Sequence, residues 1–148
     1  MAIAGLALSG LWVLPIVAII VYGVTYGLTT DREIVGADEV EVGDCIAEIP
    51  QEARVETVET VDCQQPHAGE VYAQLTVRDR DFPGEDAIVE RYASKCEPEL
   101  ARYSPPAAQD MSIALVYLHP TEETWKRGDR AVHCIAMTLP PRSGSIKG

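Results

Sequence analysis

The hydrophobic pattern divides the chain at Thr30. Before that point no side chain is charged, and the segment MAIAGLALSGLWVLPIVAIIVYGVTYGLTT is apolar well beyond the roughly 20 residues that a membrane helix needs. After it the pattern breaks into short alternating stretches and one stretch with a period near four. Glu39–Ile49 (EVEVGDCIAEI) alternates weakly and predicts a strand that ends at Pro50. In Arg54–Val61 the spacing of Val55, Val58 and Val61 is also helical, but the β-branched residues and short length favour a strand. Gly69–Val77 alternates cleanly and predicts Val71, Ala73, Leu75 and Val77 on one face.

From Glu85 to Tyr103 the period changes. Ile88, Tyr92, Cys96 and Leu100 recur at every fourth position, which predicts an amphipathic helix with Cys96 on its buried stripe. Pro98 is expected to break or restart that helix. Ser104–Gln109 reads as a loop and Met111–His119 as a strand. Pro120–Arg127 reads as a short helix N-capped by Thr121, with Glu122 or Glu123 in its first turn. Gly128-Asp129 predicts a turn, Arg130–Leu139 the last strand, and PPRSGSIKG an exposed tail. The expected fold class is α+β: a single transmembrane helix, then a small disulfide-stapled domain of about five mainly antiparallel strands and one main helix. The corresponding segments are a membrane helix at 1–30, a linker at 31–38, the domain at 39–139 and a tail at 140–148.

The apolar segment reads as a retained span. No Lys or Arg precedes it and no small-x-small cleavage site closes it, unlike a secretory signal. Pro15 is tolerable inside a span, and Trp12, Tyr22 and Tyr26 suit the two interfaces. Gly23 and Gly27 form a GxxxG, and Gly5 with Ser9 a second small-xxx-small pair. Both let helices approach closely in lipid, so helix–helix contact is expected there. The flank that follows is poor in Lys and Arg and suits the outer side of the membrane.

Charge narrows the partners. All 12 basic and 23 acidic residues lie beyond Thr30, so the domain carries the whole net charge of −11. Such acidity argues against nucleic acid and against adhesion to an anionic bilayer, and it reads as a solvated surface. Residues 31–148 suffice for one domain. The four cysteines, Cys45, Cys63, Cys96 and Cys134, all lie in this part, and an even count outside a membrane reads as disulfides. Four cysteines permit three pairings. The reading adopted is Cys45–Cys63 with Cys96–Cys134.

The stretch VETVDCQQPHAGEVYA gathers Cys63, Pro66, His67 and Glu70, and His133 adjoins Cys134. A zinc site needs about four converging ligands, usually with tight Cys-x2–4-Cys pairs, and there is no such pair here. A Cys/His nucleophile would need a free thiolate, and no nucleophile elbow is present. The expectation is therefore no metal, no cofactor and no catalytic residue. Gln65-Pro66-His67 reads as a turn between strands, with the imidazole bonding nearby backbone. Tyr72, Tyr92, Tyr103, Tyr117 and Trp125 read as core.

Several motifs occur in one order: Val42-Gly43-Asp44-Cys45; Val61-Asp62-Cys63-Gln64-Gln65-Pro66-His67 with Glu70-Val71-Tyr72; Phe82-Pro83-Gly84; Cys96; Pro120-Thr121-Glu122-Glu123-Thr124-Trp125; Gly128-Asp129-Arg130; Cys134; and a Gly-Ser-x-x-Gly end. This series resembles the septum formation family of actinobacterial membrane proteins, over roughly residues 39–148. The family usually has an acid soon after the histidine; here Ala68-Gly69 intervene and Glu70 keeps the later acid. The start, Ala2–Gly10, resembles the end of a hydrophobic two-span domain that often precedes this module. The basic residues that stand before it in those proteins are absent, so the chain reads as a shortened version or as starting inside a longer protein.

The resemblance implies a non-enzymatic extracytoplasmic module on a membrane anchor. Carried over by position, Cys45, Cys63, Cys96 and Cys134 are disulfide partners, and Asp44, Pro66, His67, Trp125 and Asp129 are motif residues of unassigned role. The expected partners are membrane lipid and integral membrane or envelope proteins, met through the helix and the outer domain, at the division site. The alternatives are an accessory subunit of a large membrane complex such as a respiratory supercomplex, and an envelope hydrolase or sensor.

Overall fold

In a computed structural model the described residues are 32–50 and 55–147, together with Pro15, Val17 and Ala18. The chain forms two compact units, Met1–Asp31 and Arg32–Gly148. In the first, Pro15, Val17 and Ala18 are helical and exposed. The expected span at 1–30, with Gly5, Ser9, Gly23 and Gly27, otherwise lies outside the described residues. Among the described residues no helix is long and apolar enough to cross a membrane.

The second unit is an α+β domain built on one antiparallel sheet. Its strands are β1 (Glu33–Gly36), β2 (Cys45–Ile46), β3 (Thr57–Val61), β4 (His67–Thr76), β5 (Ile113–Leu118) and β6 (Ala131–Arg142). Their spatial order is β1-β3-β2-β4-β6-β5. Helix α1 (Glu85–Tyr103) packs on one face, and a short helix α2 (Glu122–Lys126) joins β5 to β6. The fourfold stripe behaves as its period requires: Ile88, Tyr92, Cys96 and Leu100 are all buried. Pro98 does not break α1. It stands on the exposed side, as does Ser94, whose carbonyl loses the N–H that proline lacks, so water can serve that carbonyl.

Several expectations are corrected. There are six strands among the described residues, because the supposed linker 31–38 contains β1, paired with β3 from Glu33↔Thr60 to Gly36↔Thr57. Four residues are too few for alternation to register against the acidic background. The strand expected over Glu39–Ile49 shrinks to Cys45–Ile46, because the chain turns at Glu41–Asp44. Gly43 sits there at φ +105°, a conformation that favours glycine. The face expected for Val71, Ala73, Leu75 and Val77 is split. The ladder between β4 and β6 shifts register between Val71 and Ala73, so Val71 opposes Ile135 while Ala73 opposes Cys134. Val71 therefore joins the core on the sheet face away from α1, and Ala73 and Val77 join the core under α1. The last strand runs on to Arg142, and the tail is not exposed throughout, since Ile146 is buried.

Two disulfides hold these parts together: Cys45–Cys63, across 18 residues, and Cys96–Cys134, across 38. The second joins the buried stripe of α1 to the middle of β6. In the chain-entropy model they contribute about 3 and about 4 kcal/mol. We expect the Cys96→Ala/Cys134→Ala double variant to lose about 4 kcal/mol of unfolding free energy in urea titration. A loss below about 1 kcal/mol would mean that this cross-link constrains little.

Candidate functional site

One corner of the domain collects most of the motif residues. The Asp44 carboxylate accepts from the Glu41 N–H at 2.8 Å, and the Asp44 N–H returns a bond to the Glu41 carbonyl at 3.1 Å. This closed turn is stitched to β4, because the Gly43 N–H donates to Val71 and the Val71 N–H donates to Asp44. A second turn follows β3: the Gln65 N–H donates to the Asp62 carbonyl and the Gln64 N–H to the Asp62 carboxylate, both at 2.8 Å. The Cys45–Cys63 bond fastens the two turns together. Pro66 is exposed at the exit. His67, expected in the turn itself, is instead the first residue of β4 and only 1% exposed. Its Nδ1 lies 2.9 Å from the Gln65 carbonyl. A carbonyl only accepts, so Nδ1 carries the proton and Nε2 is left buried without a partner among the described residues.

Glu70 lies at the centre of this corner and is 1% exposed. Its Oε1 accepts from the Tyr103 and Ser145 hydroxyls, each at 2.7 Å, and its Oε2 from the Ile146 N–H at 2.7 Å. Three donors converging on an acceptor-only group are what a buried carboxylate requires. The Ser104 hydroxyl donates to the Ile146 carbonyl, and the Gly144 N–H to the Cys63 carbonyl, so the tail is bonded on both sides. Burial, then the bond to Glu70, pushes the Tyr103 phenol up to about 12.

Ligand atoms of Cys45, His67 and Glu70 lie within 4.8 Å of one another. The disulfide removes the Cys45 thiolate, and Glu70 is engaged with three protein donors. His67 Nε2 alone is left, which is not a coordination set in this oxidation state.

The remaining motif residues form a second unit. Thr121 caps α2 in a reciprocal arrangement with Thr124. At the other end the Gly128 N–H reaches the Trp125 carbonyl and the Asp129 N–H reaches Thr124, a Schellman closure. The Asp129 carboxylate then accepts from the Ala131 N–H at 2.9 Å, which starts β6. Trp125 is buried against Phe82 at 5.6 Å between ring centroids, and the Arg130 guanidinium stacks over its indole at 3.6 Å.

This second unit borders a cavity of about 150 Å³ on the sheet face away from α1. Ile46, Val58, Leu118 and Ile135 give it apolar walls, and Asp129 reaches its edge. His133 lies in it, 1% exposed, with Nε2 lacking a partner among the described residues. Burial pushes the His133 imidazole below its ordinary value of 6.5, and Asp129, Asp38 and Asp44 push it partly back.

The structure thus brings Asp44, Cys45, Cys63, Pro66 and His67 together, with Cys96–Cys134 under α1 and with Trp125 and Asp129 around α2. Pattern reading gives no role to Glu70, Ser145, His133 or the cavity. The available signal is a charged or imidazole side chain inside a strand of otherwise apolar residues, as in GEVYA and AVHCIA.

Two outcomes follow. Glu70→Ala removes all three acceptor contacts. We expect it to cost about 2–4 kcal/mol, to expose the Ile146 amide to hydrogen exchange and to move the Tyr103 titration down from about 12. An Ile146 amide that stays protected would show that the tail does not depend on Glu70. For His133, the unfolded chain takes up a proton near 6.5 and the folded chain only at lower pH. Stability contributed by His133 is therefore present above 6.5 and lost as the pH falls below it. Unfolding titrations from about pH 8 downwards should show this acid slope in the wild type and a shallower one in His133→Gln.

The comparison with curated proteins finds no match, and neither does the comparison with solved structures. The comparison with family models finds one described as septum formation, matched over residues 32–145. That match takes in the corner at Glu70, both disulfides and the unit around α2, and the chain belongs to the septum formation family.

Proposed function

We propose that the protein is a non-catalytic, membrane-anchored interaction module that works outside the cytoplasm and is linked to septation. The observation that carries this reading is the oxidation of all four cysteines, with no free thiol in the domain. Such cross-links persist in oxidising spaces. The uncharged segment before Asp31 supports an anchor in the cell membrane, and the acidic domain would then stand on the outer side. The interior chemistry supports a binding role over a catalytic one. Glu70 is saturated by protein donors, and the sulfurs are tied up in pairs. The partners would be integral membrane or envelope proteins, reached through the helix and the outer domain.

A second reading is an accessory subunit of a large membrane complex. It draws on Ile34, Met111 and Leu139, which are exposed on β1, just before β5 and near the end of β6. Exposed large apolar residues suit a fixed contact.

Topology is tested by C-terminal fusions. Alkaline phosphatase should be active and green fluorescent protein dark; the reverse pattern would end the extracytoplasmic reading. An outward-compatible fluorescent fusion should concentrate at midcell during division. Uniform membrane labelling, with stoichiometric co-purification of a large enzyme in gentle detergent, would favour the accessory subunit instead.

A further inference from the structure

The cavity over His133 has no part in the function just proposed, yet it is built like a binding site. Its floor is the regular ladder of β5 and β6, where Leu118 opposes His133 and Val116 opposes Ile135. One wall is the connection through α2, made rigid by its two caps. Its volume of about 150 Å³ is the size that admits a single benzene-like ring. Among the apolar side chains of Ile46, Val58, Leu118 and Ile135, one imidazole nitrogen of fully buried His133 has no partner among the described residues. A buried polar atom of that kind is ordinarily satisfied by an ordered water or by a ligand.

Charge restricts the ligand further. Among the described residues, Asp38, Glu56 and Asp129 line the cavity against the guanidinium of Arg127, which is paired with Glu123 at 3.4 Å. An anion would meet the carboxylates of Asp38, Glu56 and Asp129 and an imidazole whose charged form burial disfavours. An uncharged hydroxyl fits whichever ring nitrogen carries the proton, because it can both donate and accept. We infer that this cavity binds a small uncharged molecule of phenol or alcohol type, its apolar body against Val58, Leu118 and Ile135 and its hydroxyl on His133 Nε2. The site differs from the corner at Glu70, and its use does not depend on the septation reading. It would let the module sense a small neutral molecule or carry one.

The test uses the full chain in detergent, with free ligand fixed by dialysis, and reads the imidazole nitrogens by 1H–15N correlation. Phenol, toluene and benzoate are the probes. Phenol should bind saturably and shift the His133 Nε2 resonance. Toluene should bind about tenfold more weakly, one hydrogen bond's worth, and benzoate should not compete. His133→Leu should lower phenol affinity about tenfold and leave toluene unchanged. Ala131→Leu, which fills the cavity and keeps the imidazole, should abolish both. If His133→Leu does not fold, the wild-type comparison of phenol with toluene and the Ala131→Leu variant still decide. No saturable shift, equal binding of phenol and toluene, or undiminished binding to Ala131→Leu would overturn the proposal and leave a hydrated void.

Discussion

The carboxylate of Glu70 sits where water cannot reach it, and a buried carboxylate is tolerable only with donors in place. Its donors come from the last residue of α1 and from the chain end, 33 to 76 residues away in sequence. The burial of one side chain therefore sets the position of three segments at once. The final turn of α1 cannot slide along the sheet without withdrawing the Tyr103 hydroxyl. The tail cannot lift without withdrawing the Ser145 hydroxyl and the Ile146 N–H, and Ser104 would lose its own acceptor with it. Contacts of this kind form together or not at all, which gives a small domain a single arrangement instead of several near ones.

The two sheet faces are stabilised differently. Under α1 a regular helix stripe meets the sheet, and Cys96–Cys134 locks them at a Cα separation of 5.7 Å. Among the described residues of the domain, no long helix packs on the other face. Its core, around Ile46, Val58, Val71 and Ile135, is closed by residues such as Val40, Ile49 and Val55 from the connections on either side of β2. The cavity over His133 opens on this face. The Cys45–Cys63 link restrains β2 at the margin of that layer.

Strong periods were legible in the sequence and weak ones were not. The helix over Glu85–Tyr103 and the cap at Thr121 were readable because four-residue spacing and capping chemistry act locally. The strand β1 was not, because pairing with β3 decides it, and four residues hold too little pattern. The split face of β4 was hidden for a related reason: a register shift changes which way side chains point without changing their order in the sequence. The tail misled because its composition is that of a loop, while its structure is decided by Glu70, more than 70 residues earlier. The cavity could not be foreseen at all, since it arises from how three connections close over a sheet face.

The motif residues singled out in the sequence take part in holding the fold. Asp44 closes a turn, Cys45–Cys63 fastens the corner where His67 is buried, Cys96–Cys134 ties α1 to β6, Trp125 is core, and Asp129 ends one element and starts the next. Residues spent on holding the fold are poor candidates for telling one partner from another, since they are buried or saturated. A fold and its function are separable in this way. The groups that the fold leaves unspent are the apolar residues at the sheet margins, the acidic surface and, among the described residues, the nitrogen of His133 that has no partner. The exposed ones among those groups touch neither Glu70 nor either disulfide, so the surface can change while the scaffold is kept.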